Sequence, residues 1–235
     1  SNSKAMLYYL HYLSSEWSPL RIFRYITFRA IMAALTALVL SLVLGPWVIR
    51  KLTELKLGQP IRLAEEVHRL HELHLKKKWI PTMGGVLIML AVVVSAALWS
   101  RPDNVFVELS VGAMLFLGAI GFADDYLKVT RKQSKGLSAR SKLAGQFLVA
   151  MGVAWVLFIH PDTWAEACKL MVPFYKRPIL FDLGGFFFIF AVLVTVGSSN
   201  AVNLTDGLDG LAIGCTITVA MVYAIFAYLE SNANY

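Results

Sequence analysis

Two adjacent carboxylates, Asp124 and Asp125, follow the charge-free stretch Leu109–Ala123. If that stretch is a membrane span ending at Ala123, both aspartates sit at a helix C-terminus. The helix dipole is negative there and disfavours each Asp by a few tenths to ~1 kcal/mol. Their mutual repulsion adds to this. A divalent cation, nearby lysines, or both would offset it. Solvated loop acids are the bland reading. At a membrane edge, followed by Lys128, Arg131, Lys132, Lys135, Arg140 and Lys142, a functional role is the stronger one.

A second polar run reads Gly197–Ala212, GSSNAVNLTDGLDGLA. Asn200 and Asn203 are three apart, as are Asp206 and Asp209, so each pair shares a face if helical. Gly207 and Gly210 let a ligand or a neighbouring backbone come close. Carboxylate and amide oxygens suit Mg²⁺, which also binds substrate phosphates. An N-cap role would account for Asp206 alone, not for all four. A third element, Lys76–Gly85, places three lysines before Pro-Thr and Gly-Gly, a composition able to hold a diphosphate. Membrane anchoring is its bland reading.

These groups need elements to position them. The 235 residues are 57% hydrophobic and 16% charged, against about 45–50% and ~25% in soluble domains. Six stretches carry almost no charge: Ala30–Ile49, Trp79–Ser100, Leu109–Ala123, Leu143–His160, Leu183–Thr205 and Gly210–Leu229. A helix crosses the bilayer with roughly 20 apolar residues, so the expected fold is an all-α polytopic membrane protein with six spans here. Basic residues concentrate in Arg50–Lys78 and Lys128–Lys142, which puts those loops in the cytoplasm and both chain ends outside. Arg21, Arg24 and Arg29 count weakly against this. The three polar elements then fall on the same side, although only Lys and Arg counts set the orientation.

The net charge of +7 reflects this topology rather than nucleic-acid binding. Residues 1–5 read as a tag remnant or upstream extension. Residues 6–25 read as an interfacial segment of Leu, Tyr and Trp that Pro19 would interrupt, and 26–229 as the transmembrane domain. Arg62–Lys78 suits a short amphipathic helix. Its His68, His71 and His74 are by default solvated or headgroup-facing. Cys168 and Cys215 form no framework and read as structural thiols.

Pro81–Gly85 (PTMGG), Asp124–Tyr126 (DDY) and Asn200–Ala212 (NAVNLTDGLDGLA) together resemble the bacterial phospho-N-acetylmuramoyl-pentapeptide transferase family, of the polyprenyl-phosphate N-acetylhexosamine-1-phosphate transferase superfamily. Thr27–Ala30 (TFRA) and Lys135–Arg140 (KGLSAR) fit as well, so the resemblance covers nearly the whole chain. It implies transfer of phospho-MurNAc-pentapeptide from UDP to undecaprenyl phosphate, giving lipid I and UMP, with Mg²⁺. It implies Asp124 and Asp125 as the catalytic pair. Asp124 would be the base on the lipid phosphate, and Asp125 would lie nearer the diphosphate or metal. Lys77, Thr82, Asn200, Asn203, Asp206, Gly207 and Asp209 would bind substrate. The enzyme would sit in the bacterial inner membrane with its site facing the cytoplasm, among membrane lipids, in a form compatible with a homodimer.

Two features depart from the family pattern. Trp79-Ile80 stands where Gly-Thr is usual, after a longer His-rich loop. The family has ten spans, and its second half supplies a further metal-binding Asp and a histidine run. The chain therefore reads as the N-terminal part, inactive alone. Three other readings remain open: a transferase of UDP-HexNAc to a polyprenyl phosphate for another glycan, a transporter, and a non-catalytic membrane fragment. Acids at one membrane edge rather than the midplane count against transport.

Overall fold

The computed structural model describes residues 7–54, 83–101, 103–131, 136–172, 175, 177–206 and 210–233. Two 3₁₀ segments, Leu7–Ser15 and Ser18–Arg24, open the chain. Seven α-helices follow among the described residues: α1 Ile26–Glu54, α2 Gly85–Trp99, α3 Val105–Arg131, α4 Ala139–Ile159, α5 Pro161–Ala167, α6 Phe186–Thr205 and α7 Leu211–Ala233. The nearest thing to a strand among them is an isolated bridge, Leu170 to Leu180.

α1, α3, α4, α6 and α7 are long and apolar enough to cross a membrane, and α2 is a shorter apolar helix. These six coincide with the six expected spans. Only 0% to 17% of each long apolar stretch is buried within the protein. So much apolar helix surface needs lipid around it, because no water-soluble core covers it. Helices suit that solvent because each closes its own backbone hydrogen bonds. The chain is an all-α, polytopic, integral membrane protein.

The chain forms two compact units, Ser1–Lys142 and Leu143–Tyr235. In the first, α1 and α2 run antiparallel. The start of α1 meets the end of α2, where Trp99 Nε1 donates to Thr36 Oγ1 at 3.0 Å. Further along, a Cβ at Gly45 would lie 3.7 Å from Leu87. α3 returns beside α2, and Gly118 leaves room for the Met89 side chain. The end of α3 therefore lies at the same end of the unit as the start of α2.

Pro19 opens the second 3₁₀ segment, where its missing N–H costs nothing. The break falls just before it, at Glu16–Trp17. Phe23 stacks on Trp99 at 6.0 Å, and Phe28 meets Trp99 edge-on at the same distance. Arg29 is only 7% exposed. Its guanidinium lies 4.7 Å from the Tyr8 ring and donates to the Trp99 carbonyl at 3.4 Å. A cation held this way fastens the N-terminal segment to α1 and α2. Arg29 is therefore a packing residue rather than a loop charge. Trp99→Phe keeps the ring stacking and removes the indole donor. It should lower stability by about 1 kcal/mol, read as a small drop in unfolding temperature in detergent.

In the second unit, α4 and α6 run antiparallel. Ala154 of α4 packs with Cys168 and Phe187, flanked by Leu157, Trp164, Ala167, Leu183, Phe188 and Ala191. Trp164 meets Phe158 and Phe187 edge-on at 5.1 and 5.2 Å. Burial pushes the Cys168 thiol up, which suits the structural role expected of it. α6 packs against α7.

Candidate active site

α3 does not stop at Ala123. It continues to Arg131, so Asp124 and Asp125 lie inside its last two turns rather than at its end. Lys128 supplies the reason. Its Nζ lies 2.7 Å from Asp124 Oδ2 and 3.1 Å from Asp125 Oδ1. These are the i,i+4 and i,i+3 spacings that support a helix when the acid precedes the base. The expected compensation of the two charges is thus present, and a lysine provides it.

The two carboxylates differ in setting. Asp124 is 8% exposed. Its Oδ1 accepts the Leu137 backbone N–H at 2.8 Å, while Oδ2 faces Lys128 and, at 3.9 Å, Lys142. Both its oxygens are engaged. The Asp125 side chain is 43% exposed, and Lys128 is its one partner among the described residues. Asp124 anchors the loop that leads into α4. Asp125 offers an open oxygen beside a cation. No three His, Cys, Asp or Glu side chains among the described residues gather as a metal cage. A cation here would be held as Mg²⁺ usually is, by one or two carboxylates with substrate phosphate and water, and Asp125 is the carboxylate that fits.

In the second unit, α6 carries Asn200 and Asn203 on one face, as expected. Asn200 Nδ2 donates to Gln146 Oε1 and to the Val196 carbonyl, each at 2.8 Å. Gln146 Nε2 donates to Ser199 Oγ at 2.9 Å. Gln146 is 2% exposed, so this network is the polar core between α4 and α6. Asn203 is exposed near the end of α6. Asp206 terminates α6 with φ −80° and ψ 32°. It lies five residues before α7 begins and is no N-cap for that helix. Gly210 has φ +82°, which favours glycine and lets the chain turn into α7.

Sequence reasoning did not single out Gln146. The available signal was a lone amide in the otherwise apolar run Leu143–His160, where a polar side chain at membrane depth needs partners. Gln146→Leu would strand two polar groups and should cost about 1–3 kcal/mol. Thermal unfolding checks this, with the volume-conserving Leu157→Met as a control of smaller effect. Met83, just after Pro81-Thr82, has φ +74° and is buried. For a non-glycine residue such a backbone stores about 1–3 kcal/mol, strain that concentrates at functional segments. Lys77, Thr82, Gly207 and Asp209, with the His-rich stretch 62–78, lie outside the described residues.

The sequence model of glycosyl transferase family 4 matches residues 107–235, more than half of the chain and two of the three polar elements, the aspartate pair and Gly197–Ala212. The chain belongs to that family. Among curated relatives, the phospho-N-acetylmuramoyl-pentapeptide-transferase of Methylacidiphilum infernorum is 52% identical over 229 residues, 97% of this chain and 63% of the relative. The proteins of the same name from Syntrophus aciditrophicus and Citrifermentans bemidjiense are 48% and 47% identical. Each alignment covers 97% of this chain, and 61% and 62% of the relative respectively. The kinship expected from PTMGG, DDY and NAVNLTDGLDGLA is borne out. The chain spans about three-fifths of the length of the curated relatives it matches.

Proposed function

We propose that this chain contributes the aspartate pair and substrate-binding residues of a Mg²⁺-dependent phosphoglycosyl transferase. The full-length enzyme would move phospho-MurNAc-pentapeptide from UDP to undecaprenyl phosphate, releasing UMP and forming lipid I. The observation that carries this reading is the unequal aspartate pair: Asp124 clamped by Lys128, Lys142 and the Leu137 N–H, and Asp125 open beside Lys128. The names of relatives near half identity support the substrate class.

Phosphoryl transfer asks for positioning and charge neutralisation more than covalent chemistry. Asp125 and Lys128 supply opposite charges side by side, one for a cation and one for a phosphate. Asp124 holds Lys128 and the Gly136–Ser138 turn in place. Its family role as a base on the lipid phosphate requires one of its oxygens to exchange partners during the reaction. When bound, Mg²⁺ neutralises the diphosphate. Asn200, Asn203 and Asp206, with Gly207 and Asp209, bind the nucleotide end, and Lys77 and Thr82 contribute from the segment before α2. The Lys and Arg distribution favours this face in the cytoplasm, and kinship with bacterial transferases favours the bacterial inner membrane.

The test is UMP release from the full-length protein in detergent with undecaprenyl phosphate and either UDP-MurNAc-pentapeptide or UDP-GlcNAc. Release with the first donor alone, abolished by chelator and restored by Mg²⁺, is expected. Release only with UDP-GlcNAc would reassign the donor, and substrate flux in vesicles without UMP would overturn transfer altogether.

A further inference from the structure

The two N-terminal 3₁₀ segments border an open cleft of about 300 Å³ lined by His11, Ser14, Ser15, Ser18, Arg21 and Arg24. Every lining residue is a potential hydrogen-bond donor, and two carry fixed positive charge. The sole acid of Leu7–Arg24, Glu16, is not in the lining. The neighbouring arginines are already engaged: Arg29 and Arg101 lie over the Tyr8 ring, and Arg101 pairs with Asp103 at 2.9 Å. Arg21 and Arg24 have no such partner among the described residues, nor do the three serine hydroxyls. His11 is fixed by its Nδ1 contact to the Tyr8 carbonyl and by the Tyr8 and Tyr12 rings at 4.6 and 4.2 Å. Its Nε2 remains for a ligand.

Forked guanidiniums and hydroxyls together match a phosphate ester, which offers several acceptor oxygens at once. The same two segments expose Tyr12, Leu13, Trp17 and Ile22. Tyr and Trp are favoured at headgroup depth, and exposed apolar side chains on the same segments as a cationic cleft suit a lipid rather than a free ion. The cleft lies by the start of α1, at the opposite end of this unit from Asp124. We propose that it is a binding site for the phosphate of an anionic lipid headgroup, separate from the reaction site and independent of its chemistry.

Native mass spectrometry of the full chain in detergent tests this, with phosphatidylglycerol, phosphatidylcholine or inorganic phosphate added. Retained phosphatidylglycerol should exceed phosphatidylcholine by about tenfold, since each basic residue near an anionic lipid contributes a several-fold preference. Arg21→Gln with Arg24→Gln should remove that excess and leave phosphatidylcholine unchanged. Retention of inorganic phosphate with no lipid preference would keep the phosphate site but overturn the lipid as its source. Equal phosphatidylglycerol retention in wild type and double variant would overturn the site itself. If the double variant fails to fold, Ser14→Val with Ser18→Val keeps both charges. It should lower retention about threefold, and unchanged retention would again sink the proposal.

Discussion

Asp125→Asn in the full-length enzyme should lower UMP release by about a hundredfold or more, with expression and unfolding temperature at wild-type levels. The reason is its setting. The side chain is 43% exposed and pairs among the described residues with Lys128 alone, so the isosteric amide removes a charge without breaking a buried network. Asp124→Asn should behave differently. It also loses turnover, but it removes the buried charge that faces Lys128 at 2.7 Å and Lys142 at 3.9 Å. That should cost about 1–3 kcal/mol of stability. The two variants therefore separate on a plot of turnover against unfolding temperature. Wild-type turnover in Asp125→Asn would remove that residue from the mechanism. A larger loss of stability in Asp125→Asn than in Asp124→Asn would reverse the roles assigned to the pair.

The membrane class and the six apolar helices were legible because charge-free runs of bilayer length rarely recur in a chain that folds in water. The aspartates were legible too, but for a reason that needed correcting. Their placement at a helix end came from stopping the span where charge begins. Hydropathy marks where lipid ends, not where the helix ends, and the Lys128 spacing carries α3 on to Arg131. Other features leave little trace in a single sequence. Gln146 is one amide in an apolar stretch, and only its contacts with Ser199 and Asn200 give it meaning. Met83 sits in a left-handed backbone that no residue type announces. Arg29 counted as a misplaced loop charge until its burial beside Tyr8 and Trp99 made it a packing residue.

The Asp124 clamp rests on a close approach that only glycine permits. A Cβ built on Gly136 would fall against the Asp124 carboxylate Oδ1 and within 2.7 Å of the Asp124 backbone carbonyl oxygen. A flexible side chain could swing away from such a contact, but the carbonyl belongs to α3 and is fixed by its helix. The turn must therefore move outward, taking the Leu137 N–H with it. Gly136→Ala should cost about 1–3 kcal/mol as overpacking does. It should also lower turnover by about tenfold or more, the rate equivalent of ~1.4 kcal/mol of lost positioning. Gly121→Ala, on α3 one turn before Asp124, is the control. A Cβ there meets nothing within 4 Å, and alanine is the better helix former by up to ~1 kcal/mol. Assayed for UMP release and thermal unfolding, Gly121→Ala should match or exceed wild type while Gly136→Ala falls on both measures. If Gly136→Ala instead keeps full turnover, the contact between this turn and Asp124 is not part of what positions the site.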